Sequence, residues 1–565
     1  MKRNKQMKPV LKYTLSLSFL FMAAQVSGQV KENDQKPEEK AVTEEIEVVR
    51  PYKPVLADAV KIRRSPDMNT REAFKPALTY NILDKRLELN SEIRQLEAQE
   101  IPAERPPFLK NNFARIGAGN LNTALGELYI NTGTDEALQA GMFARHLSQS
   151  GDVEKQQLSG QEIGLFGRSI GDALTFGGRL TYDRRSTFFY GIDPLSSQVA
   201  DLAKQRFNSL EAEGELYNNY REDSRVNFGL KANAYTFGNI GAGKENSLAL
   251  NGYFNTVMNQ FNLGFNVSSD FTGSKDSLYS IGNHIVRGNP YLKFKGDGFL
   301  LDLGLNMVQE FGDRSRTHIF PAVSVEVPVA AEYAILFGGL KGGVLKSSLR
   351  EFTYENPFLN SNIGLQNGVE KAHIYGGVKG NAGGGFGFKV MAYYKKIEDM
   401  PLYVNSAQEV NRFDVVYDPQ TKIMGIEGEM SIKATDVFTL TGKAEANSYK
   451  LTTQEEAWYK PGFRLTGNGR ASINKKLALD AEVFFNGDVY ARNPGAPAPG
   501  QVPDGTPFMT RIKGFVDLAA GAEYQVNSSI GVYLRANNLF GTIYQQYLYY
   551  PKFGMNILGG FHYSF

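Results

Sequence analysis

The chain has no cysteine, one tryptophan and no apolar run long enough for a membrane helix. Without cysteine there is no disulfide framework, no thiol catalysis and no lipid-modified cysteine anchor. A membrane helix needs about 20 consecutive apolar residues, and the stretch Tyr13–Ala24 has only 12. That stretch follows Lys2, Arg3, Lys5, Lys8 and Lys12 and precedes the small residues Ser27 and Gly28. Basic, apolar and small segments in this order read as a secretory signal peptide over residues 1–28, cut before Gln29. A surplus of one charge is lacking too. Lys+Arg number 62 against 60 Asp+Glu; without the five basic residues of the leader the balance is 57 to 60, a net of −3. No basic excess remains to argue for nucleic acid.

Local catalytic signatures are also missing. The five histidines, His146, His284, His318, His373 and His562, never fall at metal-site spacing. No phosphate loop of the Gly-Lys-Ser/Thr kind is present. Gly167-Arg168-Ser169-Ile170-Gly171 matches the spacing of a nucleophile elbow, but an elbow joins a strand to a helix and here both flanks read as strands. Gly383 to Gly387 reads as a hairpin turn. No catalytic, cofactor-binding or metal-binding residues are expected, and no cofactor and no enzymatic activity. A barrel enzyme is the third-ranked alternative, because a site assembled from several strands leaves no local motif.

What is abundant is Tyr (29), Phe (37) and Gly (58). Mean hydropathy is only −0.33, yet membrane strands alternate apolar and polar residues and so average to a soluble-looking value. The alternation runs from about Asn112 to the end. Leu210, Ala212 and Leu216 alternate with Glu211, Glu213 and Glu215. Val226, Phe228, Leu230 and Ala232 alternate with Asn227 and Lys231, and Phe261, Leu263, Phe265 and Val267 with Asn262 and Asn266. Met424, Ile426 and Met430 alternate with Glu427 and Glu429. Strand side chains switch faces at every residue. Each segment therefore has a greasy face and a charged face, repeated over some 450 residues, which is too much for one sandwich domain. A closed antiparallel transmembrane barrel of roughly 20–22 strands accounts for both faces and leaves no backbone group unpaired in lipid. On this reading Glu211, Glu213, Glu215, Lys231, Glu427 and Glu429 face the lumen. Long loops are expected near residues 190–204, 274–287, 347–369, 400–412 and 492–509. Aromatic clusters at segment ends, such as Phe188-Phe189-Tyr190, Tyr393-Tyr394 and Tyr544 to Tyr550, are expected to form interfacial girdles.

Residues 29–111 read differently. They open with a charged, low-complexity run that cannot bury a core, and Pro51, Pro54, Pro102, Pro106 and Pro107 interrupt regular structure. The expected organisation is thus a signal peptide (1–28), a mostly irregular periplasmic or lumenal segment (29–111) and a barrel (112–565).

The final stretch carries a resemblance. Phe553, Met555, Ile557, Gly559, Phe561, Tyr563 and Phe565 share one strand face. With Asn538-Leu539-Phe540-Gly541, Tyr544 and Tyr550-Pro551 just upstream, the run resembles the closing strands of TonB-dependent receptor barrels, especially those of Bacteroidetes-type bacteria. The resemblance implies a place in the bacterial outer membrane, in contact with its lipid. It also implies that Phe561, Tyr563 and Phe565 form the C-terminal signal read by the barrel assembly machinery. Glu45-Ile46-Glu47-Val48-Val49 resembles the TonB box of such receptors, which implies strand pairing with a TonB-like or other periplasmic protein. The departure is the plug: residues 51–111 are too short and too rich in proline for the family's folded plug domain. The first functional expectation is a transport-type or channel-like barrel without that plug. The second is a scaffold subunit of an outer-membrane complex that binds periplasmic or surface partners.

Overall fold

The computed structural model describes residues 110–565 except 134–136, 194–200, 220–224, 331–332, 384, 410, 435–436 and 494–507. The expected signal peptide, the segment 29–109 and the box at Glu45–Val49 lie outside the described residues. The first strand, Phe113–Gly119, begins one residue after Asn112.

The alternating segments form one sheet of 22 strands. Each strand pairs antiparallel with the next, and Phe113–Gly119 pairs with the last strand, Asn556–Ser564, over seven residues from Phe113↔Ser564 to Gly119↔Leu558. That pairing closes the barrel and removes its edges. The fold is all-β; the one helix among the described residues is Leu349–Glu355, inside a loop. The wall is uneven. Leu174–Phe188 and Lys204–Asn218 pair over fifteen residues, whereas Phe515–Gln525 and Ile530–Asn537 pair over six. Apolar positions of the alternation stand exposed on one face, among them Ile163, Leu165, Leu230, Leu263, Val267, Ile426 and Leu534. In water such a surface would be unfavourable; in lipid it is the required exterior.

The connections sort by end. At the end that carries both termini of the described barrel every turn is short, for example 171–173 and 259–260. At the other end lie all the long ones: 189–203, 346–367, 399–420, 451–462, 487–514 and 538–555. Four of the five expected loops are here. The fifth, 274–287, is corrected: only 276–279 turn, and Ser280–Lys295 is a strand. The segment 538–555, expected as part of the closing strands, is largely a loop, with short strand pairing only between Gln545–Tyr547 and Tyr550–Pro551. The glycine run is a hairpin turn as its composition suggests, with Gly383 and Gly385 both at φ +80°. Gly167–Gly171 spans the end of one strand and the turn to the next, so no elbow forms.

Candidate functional site

Three long loops leave the rim between the fifth and sixth, the thirteenth and fourteenth, and the twenty-first and twenty-second strands. They are therefore eight, eight and six strands apart around the ring. Each contributes one ring to a common contact. Tyr190 meets Phe358 edge-on at 5.7 Å and Tyr550 at 4.9 Å, while Phe358 stacks on Tyr550 at 3.6 Å. Side chains from thirds of the rim can touch one another only across the opening, over the mouth or inside it. Phe413, from the hairpin Met400–Asn405 and Phe413–Asp418, joins Tyr550 and Tyr547 at 6.0 and 5.3 Å. Leu349, Phe352, Leu359 and Tyr403 complete a buried cluster that also covers Phe207 and Phe237 of the wall. Each aromatic pair adds about 0.5–1.5 kcal/mol beyond its buried area, so the set forms a packed lid. Phe189, Tyr190, Tyr547 and Tyr550 are thereby corrected from interfacial girdle to lid core: they are buried against one another and not turned to lipid.

The lid is fastened to the wall by polar groups. Glu245, fully buried on Lys244–Met258, accepts hydrogen bonds from Tyr235 Oη (2.9 Å), Ser274 Oγ (2.6 Å), Ser348 Oγ (2.9 Å) and the backbone N–H groups of Leu349 (2.8 Å) and Arg350 (3.2 Å). One carboxylate thus occupies the start of the loop helix, whose first N–H groups have no intrahelical acceptor. Lys346 Nζ donates to both oxygens of Asp270 at 2.7 and 2.8 Å. Arg350 pairs with Glu211 at 2.5 Å and lies over the Tyr235 ring. Asn367 bonds Glu310 and Asn283 of the wall. At the far side of the lid Glu355 accepts from Tyr403 Oη (2.8 Å) and pairs with Lys460 (3.1 Å). The chain's single tryptophan, Trp458, is buried beside this hairpin with Met400, Leu402 and Val404.

Glu351 sits on the loop helix. Burial pushes its carboxyl up to about 7, with Glu245 and Asp270 adding to the rise and Lys346 opposing it. A carboxyl raised in the docked state keeps its proton there while the released state ionises. Below the ordinary carboxylate value both states are protonated and docking is undisturbed. Docking weakens as the pH climbs from about 4.5 towards 7 and levels off above it. The protection factors of residues 346–367, corrected for the intrinsic rise of amide exchange with pH, are expected to fall across that window, and Glu351→Gln is expected to flatten their pH profile. A profile unchanged by the substitution would assign the titration to another group.

Below the lid the charged strand faces pair with one another. Glu215 takes Arg168 at 3.0 Å and Glu213 takes Lys231 at 3.7 Å. Lys443 sits among Glu427 (2.9 Å), Glu445 (2.7 Å) and Glu429 (3.6 Å), and Lys389 reaches Glu427 at 3.5 Å and Glu429 at 3.9 Å. Arg535 bridges Asp480 and Glu482. Alternating signs of this kind leave no continuous stretch of one charge. Among the described residues no group of three or more acidic or histidine side chains is placed to hold a metal ion. On the opposite face of the last strand Phe561, Tyr563 and Phe565 are 51, 45 and 44 % exposed, and the rings of Tyr563 and Phe565 stack at 5.4 Å.

Sequence reading missed Glu245 and the aromatic triad, although 352–359 (FTYENPFL) is more apolar than an exposed loop requires. No protein-family model and no curated protein matches the chain. Solved structures do. It resembles the ferripyoverdine receptor of the outer membrane of Pseudomonas aeruginosa (TM-score 0.61, 12% identity, covering 82% of this chain and 72% of that one). It also resembles the siderophore receptor PirA from Acinetobacter baumannii (0.60, 11%, 82% and 81%). The ferric-catecholate import receptor Fiu from K12 E. coli aligns equally well (0.60, 10%, 81% and 82%). The barrel has the fold of the siderophore receptors. At these identities the likeness is one of architecture.

Proposed function

We propose that the chain is a transport-type barrel of the bacterial outer membrane whose outer mouth is closed by a lid of its own loops. The observation that carries this is the meeting of Tyr190, Phe358 and Tyr550 across the opening. A 22-stranded wall encloses more space than its side chains can fill, and here the outer entrance is closed by loops held through separable polar contacts. The short-turn end then faces the periplasm and the long loops face outward. Glu211, Glu213, Glu215, Lys231, Glu427 and Glu429 line the lumen, where their ion pairs stiffen the wall. No enzymatic activity is assigned. We propose further that residues 29–111 partly occlude the lumen from the periplasmic side.

A periplasmic partner adds a strand to Glu45–Val49, and Phe561, Tyr563 and Phe565 serve barrel assembly. Two substitutions separate these roles. Phe565→Ser is expected to lower membrane yield and heat-modifiable mobility. Val48→Pro is expected to leave both intact and to lose the partner, because proline has no backbone donor. Partners recovered from native membranes unaltered by Val48→Pro would favour the scaffold reading, which the fully packed lid also suits. Single-channel recording tests transport directly: a scaffold needs no conductive lumen, and a transport barrel has one once its barriers are removed.

A further inference from the structure

The lid fixes which wall face is inner, and the outer face near it has an unusual charge pattern. In Leu174–Phe188 and Lys204–Asn218, Thr187, Gln205, Phe207 and Ser209 are buried on the lid side. Arg184, Phe188, Lys204 and Arg206 therefore point outward, in line with the exposed apolar residues Leu180, Tyr182 and Leu210. In Lys244–Met258 and Phe261–Lys275, Glu245, Ser247, Thr272 and Ser274 are buried inward. Lys244 and Lys275 therefore point outward with Leu248 and Phe271.

From the fifth to the ninth strand every outward-facing charge is positive. The acids Asp183, Glu211, Glu213, Glu215, Glu245 and Asp270 all lie on inner parity. All five outward cations lie within five residues of the lid end of their strands. None makes an ion pair among the described residues. Lys204 stands opposite Phe188 and Arg206 opposite Ser186, so Arg184, two positions along, is their diagonal neighbour. Lys155, from the adjoining turn, and Lys204 both lie 5.7 Å from the Phe188 ring. The acids of that turn, Asp152 and Glu154, pair with none of the described cations. The Nε of Arg206 is buried without a hydrogen-bond partner. Lys244 faces Lys275 directly across the ladder, an arrangement that repels unless an anion sits between.

We propose that this outer face binds the phosphate groups of an anionic, phosphorylated lipid in the leaflet at the lid end. The acyl chains would lie along the apolar band formed by Leu180, Leu210, Leu248 and Phe271, and the phosphates would reach the cations above it. Arginine presents a fork that matches phosphate, and lysine adds point charge. Phe188 marks the headgroup level between them. The inference rests on the membrane orientation proposed above, and it is independent of transport.

The test is native mass spectrometry of the full chain in detergent with diphosphoryl lipid A, phosphatidylcholine or inorganic phosphate as probes. Wild type is expected to retain lipid A in preference to phosphatidylcholine and to lose it as salt rises. The triple variant Arg184→Gln, Lys204→Gln, Arg206→Gln is expected to bind lipid A roughly 100-fold more weakly, from about a tenfold loss or less per charge. Equal retention by wild type and variant overturns the proposal. So does displacement of lipid A by inorganic phosphate at comparable concentration, which would mark a simple anion site. If the triple variant does not fold, Lys244→Gln with Lys275→Gln replaces it, under the same criteria. Insertion into phosphatidylcholine vesicles is measured alongside. A chain that inserts but shows no lipid preference contradicts this site alone, whereas failure to insert contradicts the membrane reading itself.

Discussion

Glu245→Ala releases the segment 346–367 from the barrel wall: its backbone amides are expected to exchange on the order of 100-fold faster than in the wild type. The carboxylate satisfies two backbone N–H groups and three hydroxyls while fully buried. Its removal leaves the helix start and Tyr235 without their acceptor. It also removes one of the three acids, Glu245, Asp270 and Glu211, that surround Lys346 and Arg350. Breaking a buried charged network by deleting one member costs about 3–5 kcal/mol, and about 1.4 kcal/mol is tenfold in an opening equilibrium. Some of that cost will be recovered as water enters, so the lower end of the range is the expectation. Glu245→Gln keeps one acceptor oxygen and should fall between the two. Trp458 gives a second readout. It is buried among Met400, Leu402 and Val404 in the neighbouring part of the lid, so its emission should redshift if the whole lid loosens and stay fixed if only 346–367 detaches. Exchange in Glu245→Ala that matches the wild type would show that the aromatic cluster alone holds the lid.

Val267→Arg is expected to destabilise the barrel by about 2–4 kcal/mol, the cost of a guanidinium near the middle of the apolar band. Val267 is 42 % exposed at the centre of the strand Phe261–Lys275. Leu263→Arg is expected to cost less, because Leu263 lies two residues from the short-turn end, where a long side chain can reach the headgroups. Asn266→Ser, on the inner face where Asn266 donates to Asn289, should be mild. Folding titrations into liposomes would rank the three. If all three cost the same, the assignment of an outer and an inner face to this strand is wrong.

How much of this was legible depends on where each residue's partners lie. The parity of Leu210, Ala212 and Leu216 against Glu211, Glu213 and Glu215 is a local pattern, because lipid on one side and charge on the other act on every second residue. Barrel, strand number and most loops follow from it. The pattern fails near 274–287 for a physical reason. There the wall rises to meet the lid, so Thr272 and Ser274 are polar on the inner face because they bond Lys346 and Glu245. Gly282, Asn283, Gly288, Asn289 and Pro290 look like loop residues but lie in a strand. Pro290 has no donor to give, and pairing with the next strand skips Asn289 and Pro290. The lid was not legible at all as a unit. Tyr190, Phe358, Phe413 and Tyr550 are hundreds of residues apart in part, and only closure of the ring brings their loops together. Taken one at a time, aromatic residues at strand ends look like girdle residues.

Single-channel conductance tests the lid most directly, with four chains compared in planar bilayers: the mature barrel, the barrel lacking residues 52–105, the barrel with 347–366 replaced by a short Gly-Ser turn, and the chain with both changes. On the proposed reading residues 52–105 occlude the lumen in series with the lid, and a pore blocked twice opens only when both blocks are gone. The account therefore predicts little conductance from the first three chains and large, stable steps from the fourth. Large steps from the chain that lacks only residues 52–105 would contradict it, because they would mean that ions pass the outer mouth while Tyr190, Phe358 and Tyr550 are in place.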